Sequence, residues 1–128
     1  MVKTSTYRFQ ISPDLSRCIL KLKVWGFWTI DEAKAYWDEF QEKARPFLGK
    51  PWYVLADVAD FPPQKAEVNE ILEKPMVFAR SHGMVRAANL VTSSALSKML
   101  ISRLSTGTGL SHSFFSSEEE AIAWLLQA

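Results

Sequence analysis

Trp52-Tyr53-Val54-Leu55-Ala56-Asp57-Val58 is the stretch that decides the fold. It is apolar without interruption as far as Asp57, and Asp57 and Asp60 close it. A strand with one wet face alternates apolar and polar residues, because successive side chains point to opposite faces. A short unbroken run suits a strand covered on both faces, as in the middle of a parallel sheet. Parallel neighbours cannot be joined by tight turns, so helices are expected on either side of it.

On the N-terminal side the expected helix is plain. Thr29 and Glu32 have the spacing of a capping box. Ala33, Tyr36, Trp37, Phe40, Ala44 and Phe47 then recur at spacings of three and four, opposite a polar face of Lys34, Asp38, Glu39, Gln41 and Glu42. Pro46 should end this helix, since proline removes a backbone donor and clashes with the preceding turn. Gly26-Phe27-Trp28 separates the helix from two earlier alternating runs, Tyr7, Phe9, Ile11 and Cys18, Leu20, Leu22, Val24. Ser12-Pro13-Asp14 reads as the turn of a hairpin between them.

On the C-terminal side, Phe61-Pro62-Pro63 is a loop, and a helix is expected from Gln64 to His82. Pro75 lies inside it and predicts either a kink or two short helices. Gly83 ends it, and Met84 to Thr92 reads as a strand. Ser93 or Ser94 caps a further helix to about Leu104, in the roughly three-turn size range of ordinary helices. Thr106-Gly107-Thr108-Gly109 is a loop and Leu110 to Phe115 a last strand. Ser116, Ser117, Glu119 and Glu120 offer overlapping capping boxes, and Glu118, Glu119 and Glu120 suit the positive end of a helix dipole. Ala121, Trp124 and Leu125 give that helix its core face. The expected architecture is one α/β domain over residues 1–128. An N-terminal β-hairpin is followed by alternating α and β, giving a mostly parallel five-stranded sheet with four or more helices.

Composition narrows the function. With 48% hydrophobic and 23% charged residues the chain belongs with globular proteins and not with disordered ones. A net charge of +1 gives no bulk electrostatic case for nucleic acid, so no nucleic-acid partner is expected. Cys18 is the single cysteine, which fits a reducing compartment. No apolar run approaches the roughly 18 residues of a membrane span. Met1 to Thr6 lack the apolar stretch of a signal peptide. A soluble cytoplasmic protein is therefore expected. Its charge is uneven: Asp31 to Glu73 holds ten acids and five bases, whereas Pro75 to Ser117 holds no acid and four bases, Arg80, Arg86, Lys98 and Arg103. Such asymmetry points to an anionic surface or partner.

Catalytic patterns are missing. His82, His112 and Cys18 have no ligand spacing, so no metal or cofactor is expected. Ser111-His112-Ser113 are strand neighbours that point to opposite faces and cannot pair. Gly107 and Gly109 precede a strand, the wrong context for a phosphate cradle. Asp57 and Asp60, at a strand's C-terminal end, form either a dyad or, more simply, a cap and a turn for the next helix. No catalytic residue is assigned, and a non-enzyme is expected.

The apolar residues are more informative. Leu96, Met99, Leu100, Ile101 and Leu104 spread over about 200° of a helical wheel, about twice the width of a one-sided stripe. Lys98 and Arg103 border them, and Met76, Val77, Phe78 and Arg80 have the same character. Methionine-rich apolar surface beside basic residues suits a lipophilic ligand, a membrane surface or a partner protein. Ordinary burial beneath neighbouring elements would read the same way.

Several segments together resemble the SpoIIAA-like proteins, which are related in fold to the STAS domain. They are Gly26-Phe27-Trp28-Thr29, Pro51 to Asp57, Arg86-Ala87-Ala88, and the ending from Phe114 to Leu125. The resemblance spans nearly the whole chain. It implies a STAS-like sandwich and two functional models. In the first, a serine just past the third strand is phosphorylated, but Asp57 to Glu70 contains no Ser, Thr or Tyr, so no phospho-switch is expected. In the second, kinship to CRAL-TRIO lipophilic carrier domains implies helices over an apolar pocket. The resulting expectation is a non-enzymatic binding protein for a lipophilic small molecule, lined by Phe61, Leu72, Met76, Phe78, Leu96, Met99, Leu100 and Leu104. Arg80, Lys98 and Arg103 would meet anionic headgroups, placing it peripherally at the inner membrane surface. The alternative is a regulatory protein-interaction module or homodimer using the same face.

Overall fold

Alternating apolar residues in the first 25 positions form a hairpin. The structure, a computed structural model, describes residues 7–91 and 112–127. β1 (Phe9–Asp14) pairs antiparallel with β2 (Ile19–Trp25), from Phe9 opposite Val24 to Asp14 opposite Ile19. The expected turn at Ser12-Pro13-Asp14 is corrected here: all three residues belong to β1, and the chain reverses over residues 15–18. Proline is tolerated because β1 is an edge strand, where a missing donor breaks no ladder. The reversal is organised by Asp14, whose carboxylate accepts from Ser16 Oγ (2.9 Å) and from the Arg17 backbone N–H (3.3 Å). Cys18, expected in the second strand, closes the turn with φ +57°.

The capping box forms as read. Thr29 Oγ1 accepts from the Glu32 N–H, and Glu32 Oε1 accepts from the Thr29 N–H. α1 (Ile30–Ala44) buries Ala33, Tyr36, Phe40 and Ala44. A 3-10 turn (Arg45–Phe47) follows it at Pro46. β3 (Trp52–Asp60) is parallel to β2 on one side and to β4 (Met84–Leu90) on the other, as its unbroken apolar run predicts. α2 (Ala66–Ser81) joins β3 to β4 as one helix. Pro75 neither divides nor ends it, and its ring is buried against the sheet side. β5 (His112–Phe115) is parallel to β4, and α3 (Glu118–Leu125) completes the described chain with Ser117 as its side-chain cap. The sheet order is β1-β2-β3-β4-β5, with β1 alone antiparallel. Three α-helices lie among the described residues. The further helix expected from Ser93 or Ser94 to Leu104 lies outside them.

The sheet divides the core in two. On one face Leu20, Leu22, Val24, Val54, Ala56, Val58 and Ala87 pack with Trp28, Tyr36, Phe40, Trp52 and Leu72. On the other, Ile19, Leu55 and Ala88 pack with Ala121 and Leu125 of α3. Outside the two register shifts of the sheet, the strand period of two therefore assigns the residues of β2, β3 and β4 to one face or the other. Trp52 anchors the larger core: it is fully buried, stacks on Phe47 (5.6 Å between centroids), and its indole N–H donates to the His82 carbonyl (3.0 Å). Burying a side chain of this size stabilises the fold by about 2–3 kcal/mol.

Candidate functional site

Between α1, α2 and the sheet the side chains do not meet completely, and a cavity of about 70 Å³ remains. β2 contributes Leu22 and Val24, and β3 contributes Val54, Ala56 and Val58, all on one face by the alternation of the strands. Tyr36 and Phe40 close it from α1. α2 contributes Leu72, Pro75, Met76 and Ala79, which share one stripe of the helix. Phe61 lies at one end, and Met84, Ala87 and Asn89 of β4 at the other side. No described residue of the lining is ionisable except Tyr36. Burial pushes the Tyr36 phenol above its usual range, so it is neutral throughout the physiological range.

The end of the cavity near Phe61 is pinned by Gln64. Its Oε1 accepts from the Trp28 N–H (2.8 Å), and its Nε2 donates to the carbonyls of Gly26 (2.9 Å) and Pro62 (2.8 Å). One amide thus holds the β2–α1 and β3–α2 connections together. Trp28 lies beneath them, 2% exposed, with its ring 5.2 Å from Phe61. Both connections leave the C-terminal ends of parallel strands, the edge where open α/β sheets place ligands.

The opposite face of the sheet holds a different concavity of about 160 Å³. Gln10, Ser12, Lys21, Lys23 and Asp57 line it, and Glu118 at the start of α3 bonds Lys21 at 3.3 Å. Its charges are mixed and mutually compensating.

Of the residues expected to line an apolar pocket, the structure brings together Phe61, Leu72 and Met76. Phe78 is not in the lining. It turns to α1 and packs edge-on against Trp37 (5.5 Å) and Phe40 (6.4 Å), while its other side meets His82 (4.3 Å). Arg80 is exposed near the end of α2. Leu96, Lys98, Met99, Leu100, Arg103 and Leu104 lie outside the described residues. Asp57 and Asp60 do not form a pair. The register of β3 against β2 shifts between them, only Asp57 lines the concavity on the far face of the sheet, and Asp57 accepts from the Ala59 N–H (3.2 Å). Neither caps α2, whose N-cap position is Lys65. No cluster of potential metal ligands occurs among the described residues.

Asn89 and Tyr36 were not anticipated as site residues. Tyr36 falls on the predicted core face of α1, and nothing in the sequence separates a residue beside a void from one beside packed atoms. Asn89 carries a clearer signal, a lone amide two positions after Ala87 and following two alanines in β4.

Comparison with known proteins agrees on the architecture. The chain is similar in structure to an uncharacterised protein of the DUF3478 family with a SpoIIAA-like fold from Shewanella loihica PV-4. The TM-score is 0.70 at 17% sequence identity, covering 98% of this chain and 99% of that one. No family model matches the chain, and no curated protein does. The fold is therefore SpoIIAA-like, the STAS-like sandwich that the sequence segments imply. No helix among the described residues is long and apolar enough to cross a membrane.

Proposed function

We propose that this domain is a non-enzymatic binding protein for a lipophilic small molecule, held in the cavity between the sheet and α1–α2. The observation that carries this reading is the lining itself. A void bounded almost wholly by aliphatic and aromatic groups forfeits dispersion contacts, and filling it with an apolar ligand recovers them. At about 70 Å³ it has roughly half the volume of an engineered apolar cavity known to take benzene. Met76 and Met84 border it, and their unbranched side chains repack more easily than leucine or valine. A slender alkyl chain is therefore a better fit than a fused ring system.

The direct test is organic extraction of the purified protein followed by mass spectrometry, repeated on an Ala87→Phe variant that fills the cavity from β4. A lipophilic species present at stoichiometric level in the parent protein and absent from the folded variant is the expected result. Equal amounts in both would remove the cavity as its site.

Peripheral association with an anionic membrane is part of the same proposal. It is supported by Val77, half exposed on α2 one turn before Arg80, and by the acid-free stretch of sequence from Pro75 to Ser117. Retention of the protein on phosphatidylserine vesicles, reduced in a Val77→Asp variant, is the expected outcome.

One observation favours a second reading, a protein-contact module or homodimer. Phe27 is 70% exposed at the C-terminal end of β2, and Ile30 beside it is 41% exposed. Sedimentation velocity over a wide concentration range, with a Phe27→Asp control, distinguishes this reading: a strict monomer would exclude the homodimer.

A further inference from the structure

The cavity has a polarity that a mere packing fault would not need. Asn89 is 4% exposed, lies in the lining, and is surrounded there by aliphatic neighbours such as Ala56 and Ala87. Its Nδ2 donates to the Ser113 carbonyl on β5 at 3.4 Å, a long contact, and this is its one side-chain hydrogen bond among the described residues. A primary amide offers two donors and two acceptor lone pairs, so most of its capacity is unused among the described residues. Leaving such a group in apolar surroundings costs free energy, and a hydrogen-bonding ligand would recover it.

No described lining residue is a cation or an acid. The lysines of β2, Lys21 and Lys23, project from the other face of the sheet into the second concavity. An ionised ligand entering the cavity would lose its hydration and find no counter-charge among the described residues, which is far more costly than burying a neutral polar group. We infer that the cavity selects an uncharged lipophilic molecule with a single neutral hydrogen-bonding group, an alcohol, amide or carbonyl, which Asn89 engages. Carboxylates of the same chain length are excluded. The inference rests on the proposed lipophilic-ligand reading and adds to it the chemical class of the ligand and the residue that reads it.

The test compares 1-hexanol with hexanoate at pH 8, where the acid is fully ionised, by following backbone amide shifts of Ala56, Ala79 and Ala87 in NMR titrations of the full chain. Hexanol should bind tighter than hexanoate by roughly tenfold or more. An Asn89→Leu variant, close in volume, should weaken hexanol by roughly fivefold. Equal affinity for the two probes would overturn the selection by charge while leaving a lipophilic site in place. Binding of neither probe would overturn the lipophilic-ligand reading and this inference with it. Unchanged hexanol affinity in a folded Asn89→Leu protein would remove Asn89 as the reader. Should that variant not fold, the pair of probes on the parent protein still decides the charge selection.

Discussion

Arg8 grips Glu32 twice: its guanidinium Nη1 donates to Oε1 at 2.9 Å and its backbone N–H donates to Oε2 at 3.1 Å. The same carboxylate closes the capping box with Thr29, so one buried side chain fastens both the start of the edge strand and the start of α1. Arg8 itself is about half exposed, and solvent screens much of its charge attraction. The hydrogen bonds carry the greater share. Glu32→Ala should cost about 2–3 kcal/mol by urea denaturation, and Thr29→Ala about 1 kcal/mol. Equal losses in the two variants would show that the cap alone matters and that the grip on Arg8 adds nothing.

Gly83 and Gly49 separate backbone strain from steric contact. Both have positive φ, +102° and +87°. A Cβ on Gly83 would lie 2.6 Å from the Lys50 carbonyl oxygen, whereas one on Gly49 would meet nothing within 4 Å. Gly49→Ala should therefore lose only about 1 kcal/mol, the cost of the left-handed conformation. Gly83→Ala should lose about 3 kcal/mol, since the backbone must also shift. Thermal or chemical unfolding of the pair checks the ratio.

Arg86 holds the end of α3. Its Nη1 donates to the carbonyls of Trp124 (2.8 Å) and Gln127 (3.0 Å), and its guanidinium stands 5.4 Å from the Trp124 ring. A cation that satisfies orphan carbonyls at a helix C-terminus also complements the helix dipole. Arg86→Met should destabilise the domain by about 1–2 kcal/mol. Hydrogen exchange should accelerate in residues 118–125 and leave α1 unaffected.

Asp14 predicts a small pH effect of definite sign. Hydrogen bonds from Ser16 and then Arg17 hold its carboxyl below the ordinary carboxylate value. A group whose pKa falls on folding adds stability above its unfolded pKa, and that contribution is lost as pH drops through the folded pKa. An NMR titration should place the Asp14 midpoint below that of an unfolded peptide. Ser16→Ala, which removes the largest single cause, should move the midpoint back toward that value, with the Arg17 contacts still holding it below.

The sequence exposed much of this architecture because its signals are local. The capping box at Thr29–Glu32, the apolar run of β3 and the Ser117 cap each depend on a few consecutive residues, and each stands where it was read. Pro13 and Pro75 show where local reasoning fails. Pro13 suggests a turn, but an edge strand has no bond for it to break. Pro75 leaves open a break into two short helices, but its ring is buried and one helix runs through it without interruption.

The candidate site was legible only in part. Leu72 and Met76 lie on the buried stripe of α2, and Pro75 and Ala79 complete it at helical spacing. Phe78 stands about 110° from the middle of that stripe, which a helical wheel shows and hydrophobicity alone hides. Its size suggested a pocket wall. Its angle sends it to Trp37 instead.

The chain by itself determined the order of its elements, the hairpin at its start, and a parallel sheet sheltered by helices. Periodicity, caps and unbroken apolar runs are properties of neighbours in sequence. Only the tertiary structure decided which side chains surround the cavity, that Asn89 sits among them, and that Lys21 and Lys23 are turned to the other side of the sheet. Those facts depend on strand register and on the rotation at which each helix docks. A shift of one residue in register would exchange the two faces of a strand, so the site is fixed by the packing that selects one register.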